Sequence, residues 1–301
     1  MKEVRTIVVT GATGFLGRHV LAEFANTSLR VLAVTRDKSK AQFAPQSAEV
    51  AQVDSRSSTE ELCEFFEAIQ GPVVLAHLAT HYSTAHSATD VEKLVDANIS
   101  FPLHLVDALS RTKPGSAVLN ISTLFQHFES KTYSPVSLYA ATKESFLKLL
   151  DFYAEMKVLR VADLTIGDTY GSDDTRGKLM NLLISNVGSE KILNLGSGLQ
   201  NMSLIHVSDA ARAIAKVIQN SDEIIEGSVW RVQVPPTDNI LVRDLITEIE
   251  RITSEKISCT FDESRDRQRE IYSPIIGLKQ LSGYLPKIDL ASGIKSMLEN
   301  S

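Results

Sequence analysis

The chain has 301 residues, 43% of them hydrophobic and 23% charged, with a net charge of −6. Its mean hydropathy is −0.02. That excludes a disordered chain and leaves enough apolar material for one large core, or a main core with a smaller satellite lobe. The acidic balance argues against nucleic acid as a partner, so an anionic ligand needs local cations rather than a global positive field.

The first residues, MKEVRTIVVTG, run straight into a β-branched stretch at residues 6–10. No signal-peptide architecture precedes it, and no apolar run approaches the ~20 residues that span a bilayer. The expectation is a soluble, cytoplasmic protein without a membrane partner. Helical character follows over residues 18–25, a second strand over 30–35 and a shorter third around 50–53. Ser58 to Glu61 matches a capping box, leading into a helix at 62–69. Residues 73–79 form a continuous apolar run, as in a strand covered on both faces. Long helices are expected at 90–109 and 138–156, with a strand at 117–121 between them. Beyond Gly167 the pattern loosens into short helices (179–184, 209–218, 242–252) and short strands (204–207, 228–234). Only Cys63 and Cys259 occur, too far apart and too few for a disulfide framework or a metal site.

Alternation at this spacing implies an α/β fold: a doubly wound parallel Rossmann sheet with a smaller interleaved C-terminal substrate lobe. Residues 1–166 would form the dinucleotide-binding part and 167–301 the lobe, with segments near 205–234 returning to the first.

Chemistry begins at Gly11-Ala12-Thr13-Gly14-Phe15-Leu16-Gly17, between the first strand and the first helix. Gly11 permits the tight turn, Gly14 lets backbone approach a pyrophosphate, and Gly17 lets helix pack on strand. The helix N-terminus then offers N–H groups and a positive dipole end to phosphates. Thr13, Phe15 and Leu16 lie within this cofactor loop. At the end of the second strand, Arg36 suits a 2′-phosphate, with Lys38 and Lys40 close behind, so the expected cofactor is NADP, with NAD as the alternative. The competing reading makes Asp37 the ribose ligand and Arg36 a surface charge. Asp54 could flank the adenine, while Leu78, Ala79 and Thr80 would pass beside the nicotinamide ribose. His77 and His81 have no assignable carboxylate partner and read as loop or core residues rather than catalytic bases.

Tyr139 and Lys143 stand four residues apart at the start of a helical segment, which puts phenol and ammonium on one face. A free tyrosine titrates near 10, and an adjacent ammonium favours its phenolate. The preceding strand ends in Ser122-Thr123, where a hydroxyl can hydrogen-bond a substrate carbonyl while the tyrosine handles the proton.

Together, TGATGFLG, Ser122-Thr123 and Tyr139–Lys143 resemble the extended short-chain dehydrogenases/reductases that act on nucleotide sugars. Tyr170-Gly171 resembles that family's YGP turn, with Ser172 in place of proline. His206-Val207-Ser208-Asp209 resembles its "hVxD" segment, and Gly283-Tyr284-Leu285-Pro286 its "LGWxP" tail. HLAT, and the stretch ANISFPLHLVDAL containing Asn98, look most like the 4-ketoreductases grouped with CDP-abequose synthase. The resemblance implies a cofactor-side place for Asn98, diphosphate contacts from Arg267 with Lys178 and Arg269 as lesser candidates, and a homodimer through the helices at 90–109 and 138–156. Two departures bear on function. Met202 occupies the neighbourhood where the family often has a phosphate-binding arginine. Leu124 and Phe125 stand where family dehydratases carry Asp-Glu, and neither can remove or donate a proton. Dehydration is thereby disfavoured. NADPH-dependent reduction of a nucleotide-linked 4-keto-6-deoxyhexose leads, with a 4-epimerase holding NAD tightly, or a non-catalytic dinucleotide-binding protein, as alternatives.

Overall fold

The computed structural model describes residues 5–37, 39, 42, 44–83 and 87–299. Its frame is a seven-stranded parallel sheet assembled from β1 (Thr6–Thr10), β2 (Arg30–Thr35), β3 (Ala48–Gln52), β4 (Val73–His77), β5 (Ala117–Thr123), β6 (Arg160–Ile166) and β10 (Trp230–Gln233). The order is β10-β6-β5-β4-β1-β2-β3. Every residue of β1 and β4 is buried, because helices cover both faces. The side-chain period of two sends neighbours to opposite layers. Ile7 and Val9 join the core beneath α1 (Phe15–Glu23) and α7 (Val207–Gln219). Val8 joins the core beneath α2 (Thr59–Glu67), α4 (Phe101–Thr112) and α5 (Leu138–Glu155). The expected doubly wound parallel sheet is therefore present. Its strand order changes direction between β1 and β4, the place where such sheets open a ligand crevice.

The helical stretch expected at 90–109 is broken in two. α3 (Ala88–Val95) leads through a π-helical turn, Asp96–Ser100, into α4. A π-turn places one extra residue in the helix and commonly marks a functional site. Here it carries Asn98.

Two small sheets complete the molecule. β7 (Asp168–Tyr170), β9 (Asn201–His206) and β11 (Asp238–Leu241) form one, and β8 (Leu193–Leu195) with β12 (Cys259–Phe261) the other. A third core cluster joins them to α6 (Leu179–Ile184), α8 (Val242–Thr253) and α9 (Leu290–Glu299). The segments resembling "hVxD" and "LGWxP" meet as one latch. Asp209 Oδ1 and Oδ2 accept from the Lys287 and Ile288 backbone N–H at 2.8 and 2.9 Å, and the Tyr284 hydroxyl donates to the Asp209 carbonyl. Among the described residues no helix is long and apolar enough to cross a membrane.

Candidate active site

The glycine loop is shaped by contacts that allow no side chain. Gly11 has φ +66°, and a Cβ there would lie 2.6 Å from the Ala79 nitrogen. A Cβ on Gly17 would lie 2.1 Å from the Gly11 oxygen. Gly14 heads α1 with no side-chain cap, which leaves the first-turn N–H groups of Phe15 and Leu16 to a ligand. Thr13 and Ala12 lie beside Leu21, Ala33, Thr35, Ala44 and Val50, next to β2 and β3. A backbone cradle that a Cβ would fill and a bare helix N-terminus fit the pyrophosphate of a dinucleotide.

At the β2 end, Arg36 is exposed and its carbonyl accepts from the Gln52 amide at 3.2 Å. The Asp37 carboxylate turns forward instead, accepting from the Ser39 backbone N–H and hydroxyl at 2.9 and 2.6 Å. Lys38 and Lys40 lie outside the described residues. Asp54 is exposed at the end of β3 and accepts from the Arg56 backbone N–H.

The loop after β4 is held from both sides. The Ala79 N–H donates to the Thr10 hydroxyl at 3.3 Å, and the Leu78 N–H to the Thr10 carbonyl. Asn98 clamps the other end. Its Oδ1 accepts from the Thr80 hydroxyl and the His81 N–H at 2.9 and 2.8 Å, and its Nδ2 donates to the His81 carbonyl and Thr142 hydroxyl at 3.0 and 3.1 Å. With four bonds made and 2% exposure, Asn98 has no capacity left for a ligand. Its place is to position Thr80. His77 is fully buried with Nδ1 2.9 Å from the Thr10 hydroxyl, and burial pushes its imidazole down to about 3. It is a neutral core group.

Tyr139 lies in the first turn of α5, whose N-cap Ser137 accepts from the Ala140 N–H. Burial pushes its phenol up to about 12, while hydrogen bonding with the Thr80 side chain and the charge of Arg176 pull it back. Lys143 is buried one turn on, and burial pushes it down to about 8 against the pull of the Asp163 carboxylate. The i, i+4 spacing thus shares a helix face without joining the two groups. The phenol faces the Thr80 loop and the ammonium faces the sheet. Of the two strand-end hydroxyls, Ser122 is buried and donates to Asp163 Oδ1 at 2.7 Å. Thr123 is half-buried at the β5 end, accepting from the Phe125 N–H at 3.3 Å. Leu124 is buried and Phe125 half-buried, so no acid or base follows Thr123.

Two further residues of the site, Tyr82 and Asp168, belong to no motif of the sequence. The Tyr82 ring meets Tyr139 edge-on at 5.0 Å, and the half-buried Lys178 ammonium sits 4.0 Å above its centre. Asp168 begins β7, and burial raises its carboxyl while Lys178, Arg267 and Arg176 pull it back. Lys178 and the exposed Arg267, far apart in sequence, therefore act on one place. Arg269 is engaged elsewhere, with its guanidinium 4.5 Å over Phe128 and donating to Ser134. Met202 packs against the third core cluster and brings no charge. Only the position of Asp168, just before Tyr170-Gly171, offered a sequence signal for it.

The NAD dependent epimerase/dehydratase family matches residues 7–232. CDP-abequose synthase of Salmonella typhimurium is 25% identical over 300 residues, covering 97% of each chain. CDP-abequose synthase of Yersinia pseudotuberculosis is 23% identical over 89% of this chain and 91% of its own. A mutant UDP-glucuronic acid 4-epimerase from Bacillus cereus, in complex with UDP-4-deoxy-4-fluoro-glucuronic acid and NAD, has a similar structure. It superposes with a TM-score of 0.83 at 21% identity and 98% coverage of both chains. The chain belongs to the NAD dependent epimerase/dehydratase family, and is an NAD(P)-dependent oxidoreductase of the extended short-chain dehydrogenase type.

Proposed function

We propose that this protein reduces a nucleotide-linked 4-keto-6-deoxyhexose with NADPH. The observation that carries the reading is the Tyr139 phenol beside the Thr80 loop, packed edge-on against Tyr82, with Leu124 and Phe125 rather than an acid or base directly after Thr123. A protonated phenol is the species a reduction needs, since the carbonyl oxygen must gain a proton. When bound, the reduced nicotinamide supplies the hydride for the carbonyl carbon. Tyr139 delivers the proton to the oxygen, and Thr123 polarises it by a hydrogen bond. The Ser122 hydroxyl, given to Asp163, leaves that task to Thr123. Lys143 holds the ribose, and Gly11, Gly14 and Gly17 with the N–H groups of Phe15 and Leu16 hold the pyrophosphate. The forward turn of Asp37 supports Arg36 as the 2′-phosphate ligand. Arg267 and Lys178, acting together at Asp168, take the sugar-nucleotide diphosphate. CDP-abequose synthase relatives support a deoxysugar substrate.

A second reading, a 4-epimerase with retained NAD, is favoured by the UDP-glucuronic acid 4-epimerase likeness and uses the same residues. Cofactor behaviour separates the two. Incubation with NADPH and a panel of CDP-, dTDP-, GDP- and UDP-linked 4-keto-6-deoxyhexoses tests the proposal. Stoichiometric NADPH oxidation with one of them is expected, and no oxidation with any would refute it.

A further inference from the structure

A polar row, buried from Thr10 to Asp163 and exposed at Arg231, runs across the large sheet on its α4/α5 side. The strand register aligns Thr10 with His77, His77 with Asn120, Asn120 with Asp163, and Asp163 with Arg231. Most of β6 is apolar, and Asp163, 2% exposed, is its buried charge. Both β5 donors converge on one of its oxygens: Asn120 Nδ2 at 2.6 Å and Ser122 Oγ at 2.7 Å from Oδ1. Burial raises the Asp163 carboxyl, and these two bonds, with the charge of Lys143, pull it back toward its ionised form. Lys143, 4% exposed, lies one turn before Phe146 and Leu147, which pack on this side of the sheet with Val118 and Val161, and Phe146 meets the His77 ring of the row at 5.6 Å.

A buried ammonium without a counter-charge sheds its proton. The other charged groups around α5 are committed or neutral. His77 on β4 is held neutral, partly by Lys143 itself. Arg231 on β10 is tied to Asp151, with its guanidinium 2.5 and 2.7 Å from the two carboxylate oxygens. Asp107 on α4 pairs with Arg111 and Tyr153, and Asp90 on α3 with Ser83 and Ser87. On α5 itself Glu144 accepts from Gln126, and Tyr139 faces away toward Thr80. We propose that Asp163 is a positioning residue of the reaction centre, a buried counter-charge that holds Lys143 as the ammonium that engages the cofactor ribose. The inference rests on the Tyr139–Lys143 reading above. It assigns Asn120 and Ser122 the task of holding Asp163 ionised and oriented.

The test follows the Lys143 side-chain carbon resonance against pH in 13C-lysine-labelled protein, identified by its loss in Lys143→Arg. The wild-type midpoint should lie near 8. Asp163→Asn should lower it by about one pH unit or more, a tenfold or greater loss of ammonium at a fixed alkaline pH. Ser122→Ala removes one donor without touching the charge and should lower it by less, which keeps the test open if Asp163→Asn fails to fold. NADPH affinity, titrated by calorimetry from pH 6 to 9, should lose its alkaline limb at the same lowered pH. A midpoint unmoved in both variants overturns the counter-charge. A midpoint that moves while the binding profile stays put overturns its link to the reaction centre. A wild-type protein that binds neither NADPH nor NADH overturns the cofactor reading itself, which an unmoved midpoint does not touch.

Discussion

Burial raises the Tyr139 phenol, so it carries its proton near neutrality, and donation to a carbonyl oxygen draws on the charge that oxygen acquires as hydride arrives. Tyr139→Phe keeps the ring packed against Tyr82 and removes only the proton. Turnover should fall roughly 10²- to 10⁴-fold, the usual contribution of a positioned acid. NADPH affinity should stay nearly unchanged, and retention of more than a few per cent of the rate would mean another group is the acid. Arg36 makes the cofactor choice. Arg36→Asp removes a charge-assisted bond to the 2′-phosphate and adds repulsion, so NADPH should bind about 10- to 150-fold more weakly. Calorimetry that finds wild-type NADH binding as tight as NADPH binding would contradict the assignment.

At the scale of elements, the motifs were legible because each depends on local geometry. The glycine loop needs Gly11 and Gly17 for backbone reasons visible in the chain itself, and the Ser58 to Glu61 capping box forms as expected. The strand at Arg30–Thr35 and the helix at Leu179–Ile184 have the expected bounds. What escaped notice depends on tertiary contacts. The strand Arg160–Ile166 is not legible in the sequence, because Asp163 interrupts its apolar run and becomes acceptable only when Asn120 and Ser122 meet it. The π-turn at Asp96–Ser100 leaves no periodic trace in five residues. Tyr82 and Asp168 enter the site only through folding. Near Asp168, β7 and the tail form the proposed diphosphate site. Arg267→Ala should raise the nucleotide-sugar KM about 10- to 150-fold and leave NADPH affinity alone. Loss of both affinities together, or of neither, would remove Arg267 from that site.

Across the whole molecule, a homodimer through the α3–α4 and α5 helices is the proposed assembly. Leu147, Leu150 and Tyr153 of α5 are buried in the sheet-facing core. The exposed apolar residues on these helices are Val91 and Val95 on α3, Phe152 on α5 and, at its C-cap, Met156. Those are the side chains a partner would cover. Light scattering at micromolar concentration should return twice the 33.1 kDa chain mass, and a value at the chain mass would refute the dimer.

Reduction places the cofactor's hydride on the sugar, and the fate of that hydride separates it from epimerisation. The reaction is run with NADPH carrying deuterium at the transferable C4 position of the nicotinamide, on the keto sugar that the panel identifies. The account predicts one deuterium at C4 of the sugar for each NADPH consumed, and none with Tyr139→Phe. An epimerised product without deuterium, formed with no net NADPH oxidation, would contradict it.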